Sequence, residues 1–240
     1  MIRLGKIGVG AKLLKHIATA RDYIQDGLVA MWDGIENAGW GVHEPNATTW
    51  KDLASSYDMS ISGFDIGDDF VRFNKTSISF ETEAEQGNAT IEIVLDNLAF
   101  TTYYANIVSV GQSALGTGNP EYAGSLSAKS VYIFNKALYT DSYELYQQNY
   151  WHPFVVGTTS ISFYSKVGTF NWNNPFTING NLVYFKRTGG NSTTTESSTF
   201  MLGHSNVSMN VKSVRLYSRL LLTEEIAHNY AIDKERFNLP

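Results

Sequence analysis

Cysteine is absent from the chain, which excludes a disulfide framework and any thiolate metal site. That absence suits the cytosol, a virion or a bacterial surface equally. Basic residues are few: 18 Lys and Arg stand against 23 Asp and Glu, a formal net charge of −5. Phosphate binding needs concentrated Lys and Arg, so a nucleic-acid partner is not expected. No apolar run has the length of a membrane span. The basic start, MIRLGKIGVGAKLLKHIATAR, is not followed by the apolar core of a signal peptide, so Met1 reads either as the true start of an unexported chain or as an artificial one. Five histidines, His16, His43, His152, His204 and His228, show neither His-x-His nor His-Glu-x-x-His spacing, which argues against zinc. There is no Gly-x-Ser-x-Gly elbow, and the glycine-rich stretches do not lead into helices as a phosphate loop must.

What is present is aromatic and strand-forming. Fourteen Tyr and 13 Phe accompany short runs separated by Gly, Asn, Ser and Thr clusters. Strands are expected over 27–34, 70–74, 76–80, 89–96, 105–111, 130–138, 159–165, 181–187, 199–203 and 211–219. In several of these apolar residues alternate; Ile91, Ile93 and Leu95 share one face. GTGNPEYAG (116–124) and TGGNSTTTESS (188–198) read as turns. The exception to the strand pattern is LTEEIAHNYAIDKERF (222–237), a helix with Thr223 as its N-cap, Glu224 and Glu225 at its positive end, and Ile226, Tyr230 and Phe237 on one face. So many strands with one helix predict an all-β, two-sheet antiparallel jelly-roll sandwich. Residues 1–22 form a basic arm, carrying Arg3, Lys6, Lys12, Lys15 and Arg21 before the first acid at Asp22, and residues 23–240 form the domain.

Two ends of the domain resemble the laminin G-like domains of the concanavalin A-like lectin/glucanase superfamily, in the form carried by phages and gut bacteria. SVRLYSRLLLTEEIAHNYAIDKERF (213–237) is similar to their last strand and closing helix, and GLVAMWDGIENAG (27–39) with ATTWKDLASS (47–56) to their opening strands. The resemblance spans residues 26–237 and implies a jelly roll with one concave sheet. It implies no single activity, because this fold serves lectins, glucanases and packing modules.

Residue chemistry proposes three sites. Glu81, Glu83 and Glu85 alternate as the catalytic carboxylates of related glucanases do. Thr82 and Ala84 give a core little to bury, however, and Gln86-Gly87-Asn88 would break the strand, so the segment reads as an acidic connection. Asp65, Asp68 and Asp69 surround Gly67, where they either form a turn or bind calcium, which takes clustered carboxylates and carbonyls. Three loop-like segments pair an aromatic ring with polar neighbours: Trp40 with His43, Trp151 with His152, and Trp172 with Asn173 and Asn174. Sugar faces stack on such rings while polar groups bond the hydroxyls; the alternative is that the rings pack on the sandwich. Asp33 and Asp52, each beside a tryptophan, are expected to bond loop backbone. The expected function is a non-catalytic glycan-binding or adhesion module on a phage particle or bacterial surface. Its partners would be a cell-surface polysaccharide and other virion or surface proteins, including further copies of itself as a homo-oligomer. A glycoside hydrolase and a purely structural virion subunit are the alternatives.

Overall fold

The computed structural model describes residues 17–82, 89–101, 106–110, 113–117, 131–135, 159–165, 176–183 and 199–239. Two antiparallel sheets face each other across one apolar core. The larger contains β1 (Leu28–Asp33), β4 (Asp65–Ile66), β5 (Val71–Asn74), β7 (Ala89–Phe100), β11 (Thr159–Ser165), β12 (Phe176–Ile178), β13 (Asn181–Val183) and β15 (Val207–Tyr217). Its order is β13-β12-β11-β7-β15-β5-β4, with β1 beside the far half of β15. The smaller runs β10-β9-β8-β14-β6, from β6 (Ser77–Glu81), β8 (Asn106–Val110), β9 (Ser113–Thr117), β10 (Val131–Asn135) and β14 (Thr199–Gly203). A two-stranded ribbon joins β2 (Thr49–Trp50) to β3 (Met59–Ser60). The expected all-β sandwich with a C-terminal helix is what the chain forms.

Alternation selects the core. Ile91, Ile93 and Leu95 of β7 point inward with Val211, Val214 and Leu216 of β15, and meet Val108, Val110, Phe200 and Leu202 of the smaller sheet. Trp32 lies at the centre, its ring centroid 5.3 Å from that of Phe200 and 5.6 Å from that of Phe80. Its buried indole N–H donates to the Tyr57 carbonyl, and that of Trp50 to the Asp33 carbonyl, both at 2.9 Å, so neither ring carries an unpaired donor into the core.

Five short strands escape the sequence pattern. β9 begins SALGT, and its Gly116 and Thr117 belong to the strand rather than to the expected turn. Asp65 also sits on a strand, β4, whose register sets it opposite Arg72. β2, β3 and β12 are two or three residues long, too short for periodicity to register.

The helix α1 (Thr223–Phe237) falls where expected, with one correction. Leu222, not Thr223, is the N-cap. Leucine has no acceptor, so the end is held instead by Glu225, which accepts from the Leu222 N–H at 2.7 Å and is gripped by two 2.7 Å bonds from Arg219. That grip and the Leu222 bond keep the Glu225 carboxyl below the ordinary range. Asn238, in the left-handed region at φ 52°, ends the helix.

Candidate functional site

The richest chemistry lies on the outer face of the larger sheet. Register places Met31, Arg215, Glu92 and Ser162 in one row across β1, β15, β7 and β11, and Asp33, Ser213, Val94 and Ser160 in the next. Helix α1 and residues 17–24 cover both rows. Arg215 donates from Nε to Glu92 at 2.8 Å and, with both terminal nitrogens, to Asp233 at 2.8 and 2.9 Å. Asp233 also accepts from the Tyr23 hydroxyl and from Ser160, and Glu92 from Ser162 and Asn229, all at 2.8 Å. Arg215 and Asp233 are fully buried and Glu92 nearly so.

Two carboxylates around one guanidinium leave an excess negative charge. Burial pushes the Glu92 carboxyl up, against the pull of Arg215. Burial and the neighbouring Asp233 likewise raise Tyr23. Burial alone would lower Arg215, but Asp233 and Glu92 outweigh it and hold it firmly protonated. With its polar groups bonded to one another and no exposure to solvent, this centre is suited to fastening the helix, not to meeting a substrate.

Beside it lies a second ion pair. Arg236 of α1 donates to Asp33 at 2.8 Å and to Glu36 at 3.0 Å. Asp33 also accepts from the N–H groups of Ile35 and Glu36, so it does bond loop backbone as expected. Burial nevertheless lifts its pKa to about 6, against the opposing Arg236 charge. Its Oδ2 and the Nε of Arg236 have no partner. Asp52 behaves as expected too: its carboxylate accepts from the backbone of Met31, Ala54 and Tyr57 and caps the free edge of β1.

Glu36 leads from this anchor to the surface. Although burial opposes ionisation, the N–H groups of Ala20 and Gly41, at 3.0 and 2.7 Å, and Arg236 hold its carboxyl below the ordinary range. Asn37 and Glu44 clasp each other by two bonds, Nδ2 to the Glu44 carbonyl and the Glu44 N–H to Oδ1, at 2.9 and 2.8 Å. Between them Gly39 pairs with Val42 in a tight turn. Gly39 and Gly41 have φ of 133° and 69°, with open space where a Cβ would stand. Trp40 is thus carried at the tip of a loop pinned at both ends. The ring is half-buried against the small cluster of Ala20, Tyr23, Met31, Leu53 and Ile232. The Arg21 guanidinium lies over it, 4.5 Å from the centroid. His43, exposed at the same loop, directs Nδ1 to the Gly34 carbonyl at 3.2 Å.

Trp40 and His43 therefore share one ordered loop. Trp151, His152, Trp172, Asn173 and Asn174 lie outside the described residues, as do Glu83 and Glu85. Glu81 is exposed at the end of β6, where Thr199 donates to it at 2.6 Å. Of the aspartates, Asp65 lies 3.6 Å from Arg72 and Asp69 2.6 Å from Lys212. Asp68 is exposed in the β4–β5 turn. Among the described residues no three His, Asp or Glu side chains gather as a metal site would require.

Sequence reasoning missed the Arg215 centre. A partial signal was there: Asn229 and Asp233 stand on the helical face of Ile226 and Phe237, where an apolar seam alone would carry neither. In sequence, Arg21 is only one charge of a basic arm.

No protein-family model matches the chain, and no curated protein matches it by sequence. Solved structures do match by shape. The Trypanosoma rangeli sialidase in complex with sialic acid aligns at TM-score 0.53 and 14% identity, over 88% of this chain and 33% of the sialidase. This chain thus spans about a third of that enzyme. Domain 4 of an extracellular arabinanase from Geobacillus stearothermophilus, in complex with arabinotriose, aligns at TM-score 0.55 and 11% identity, over 85% of this chain and 98% of that domain. At these identities the likeness is one of fold: a β-sandwich shared with domains of sugar-processing proteins.

Proposed function

We propose that the chain is a non-catalytic, glycan-binding β-sandwich of the laminin G-like type, displayed on a virion or a bacterial surface. The observation that carries this reading is the Trp40 loop: an aromatic ring at a surface tip, held by buried anchors on a rigid sheet. Pre-ordering a loop lowers the cost of binding. The arabinanase domain, which shares the fold and was solved with arabinotriose, supports the ligand class. Among the described residues, the carboxylates gathered around Arg215, Glu92 and Asp233, lie buried beneath the helix, which supports a non-catalytic role. Laminin G-like membership and the surface setting rest on the residues at 27–39 and 213–237.

Calorimetric titration with neutral and acidic oligosaccharide panels tests the reading. The wild type binds at least one, and Trp40→Ala weakens that binding by about 1–3 kcal/mol, the scale of a lost aromatic contact. Hydrolysis of any panel member, or equal binding by Trp40→Ala, would sink it.

A further inference from the structure

The guanidinium on Trp40 has a property the other structural arginines lack. Arg215, Arg219 and Arg236 are each committed to carboxylates. Arg72 sits beside Asp65 and bonds Asn210. Arg21 is exposed, and among the described residues its guanidinium has no carboxylate partner; its contact is the indole face.

Among the described residues, the acids around it are already engaged. Asp22, its sequence neighbour, turns back to accept from the N–H and hydroxyl of Thr19 at 2.7 and 2.9 Å. Glu36 is taken by Ala20, Gly41 and Arg236. The backbone under Arg21 is fixed as well. Residues Ala20–Asp22 form one helical turn, Ala20 is fully buried, and Tyr23 is anchored to Asp233. At 4.5 Å from the centroid the guanidinium lies within cation–π range of the ring, and the Arg21 side chain is exposed to solvent. A fork of parallel N–H donors fits a planar or tetrahedral oxyanion by two bonds at once. A saccharide approaching the Trp40 ring meets this charge first.

We propose that Arg21 and Trp40 form one subsite for an acidic saccharide, the ring meeting the sugar body and Arg21 its carboxylate or sulfate group. This deepens the glycan-binding reading and rests on it. The subsite is exposed, so its selectivity weakens as salt screens the charge.

The test uses the full chain and three probes: an oligogalacturonate, a sulfated oligosaccharide of similar length, and neutral arabinotriose. At low salt the wild type is expected to bind an anionic probe about two- to fivefold more tightly than the neutral one, the range of one exposed charge contact. In Arg21→Gln that ratio falls to about one. Arg21→Lys keeps the charge but not the fork, so retained sulfate binding with reduced uronate binding assigns the group as a carboxylate; the reverse assigns a sulfate. Melting temperature should not change in either variant, because the side chain is exposed. An Arg21→Gln ratio equal to that of the wild type overturns the proposal. Wild-type binding to neutral probes alone overturns it while leaving glycan binding intact. Binding to no saccharide overturns both.

Discussion

On its inner face the larger sheet presents Trp32, Phe73, Ile93 and Val214 to the smaller sheet; on its outer face it presents Asp33, Glu92 and Arg215 to a helix. All seven are buried to the same degree. The inner face holds by area removed from water, which is tolerant of detail. The outer face holds by partner accounting. Five side chains, Ser160 and Ser162 of β11, Ser213 of β15, Asn229 of the helix and Tyr23 of the 17–24 segment, converge on Arg215 and its two carboxylates, and removing any member strands the others. The difference explains why the helix is fixed at one place on the sheet: a purely apolar seam would let it slide, whereas the Arg215 fork fits Asp233 at one position.

The comparison breaks most directly at Arg215. Arg215→Met leaves Glu92 and Asp233 buried without their cation, and is expected to cost about 3–5 kcal/mol in chemical denaturation. On the inner face, Ile93→Ala should cost about 2–5 kcal/mol through lost contact and a cavity. The two are separated by Arg215→Lys. One ammonium cannot serve Glu92 and Asp233 in the fork geometry, so most of the loss should persist although charge and volume are nearly kept. A loss under about 1 kcal/mol for Arg215→Met would show that partner accounting does not hold the outer face.

A second test separates the faces by pH, to which the inner face is indifferent. Asp33 has a folded pKa of about 6 against an ordinary 3.8. The folded protein therefore binds this proton more tightly than the unfolded chain does. The resulting stabilisation is fully present below about pH 4 and is lost as pH rises to about 6, a span worth about 3 kcal/mol. Glu36 and Glu225, both lowered, act in the opposite sense, so the contribution must be read as a difference. Wild type minus Asp33→Asn should fall across pH 4–6. A flat difference would mean that Asp33 is not held in a dry site.

How much of this was legible in sequence follows from the same contrast. Alternation at Ile91, Ile93 and Leu95 announced the inner face, because dry apolar packing leaves a period of two. The helix at 223–237 announced itself by its acidic start and its length. The outer face left no such mark: Glu92 and Arg215 read as solvent-facing charges, since the two lie 123 residues apart in the chain and neither strand alone shows their contact. β9 stayed hidden because Ala114 and Gly116 lack strand propensity. Trp40 was visible as a ring among polar residues, but its pairing with Arg21 arises only when the 17–24 segment folds over the helix and brings the two together.

The smallest expected effect concerns calcium at Asp65, Asp68 and Asp69. Calcium takes six to eight oxygens and accepts clustered carboxylates only if they are free to converge. Here Asp69 is held by Lys212 at 2.6 Å, and the same ammonium lies 3.3 Å from Asp96. The Lys212 side chain is only 7% exposed, so a cation drawing Asp69 away would leave a buried charge short of a partner. Asp65 is set by the β4–β5 register opposite Arg72. Melting should therefore be the same in millimolar calcium and in chelator. Occupancy at ten times Kd would add about 1.4 kcal/mol by mass action, a rise of about 3–6 °C for a domain of this size. A rise of that size, lost in Asp69→Asn, would show that the turn reorganises around a metal and that Lys212 can be released. Lys212→Met supplies the complementary test: with the ammonium gone, Asp69 and Asp96 are both short of a cation, and calcium should then begin to stabilise a protein that it leaves unchanged when Lys212 is present.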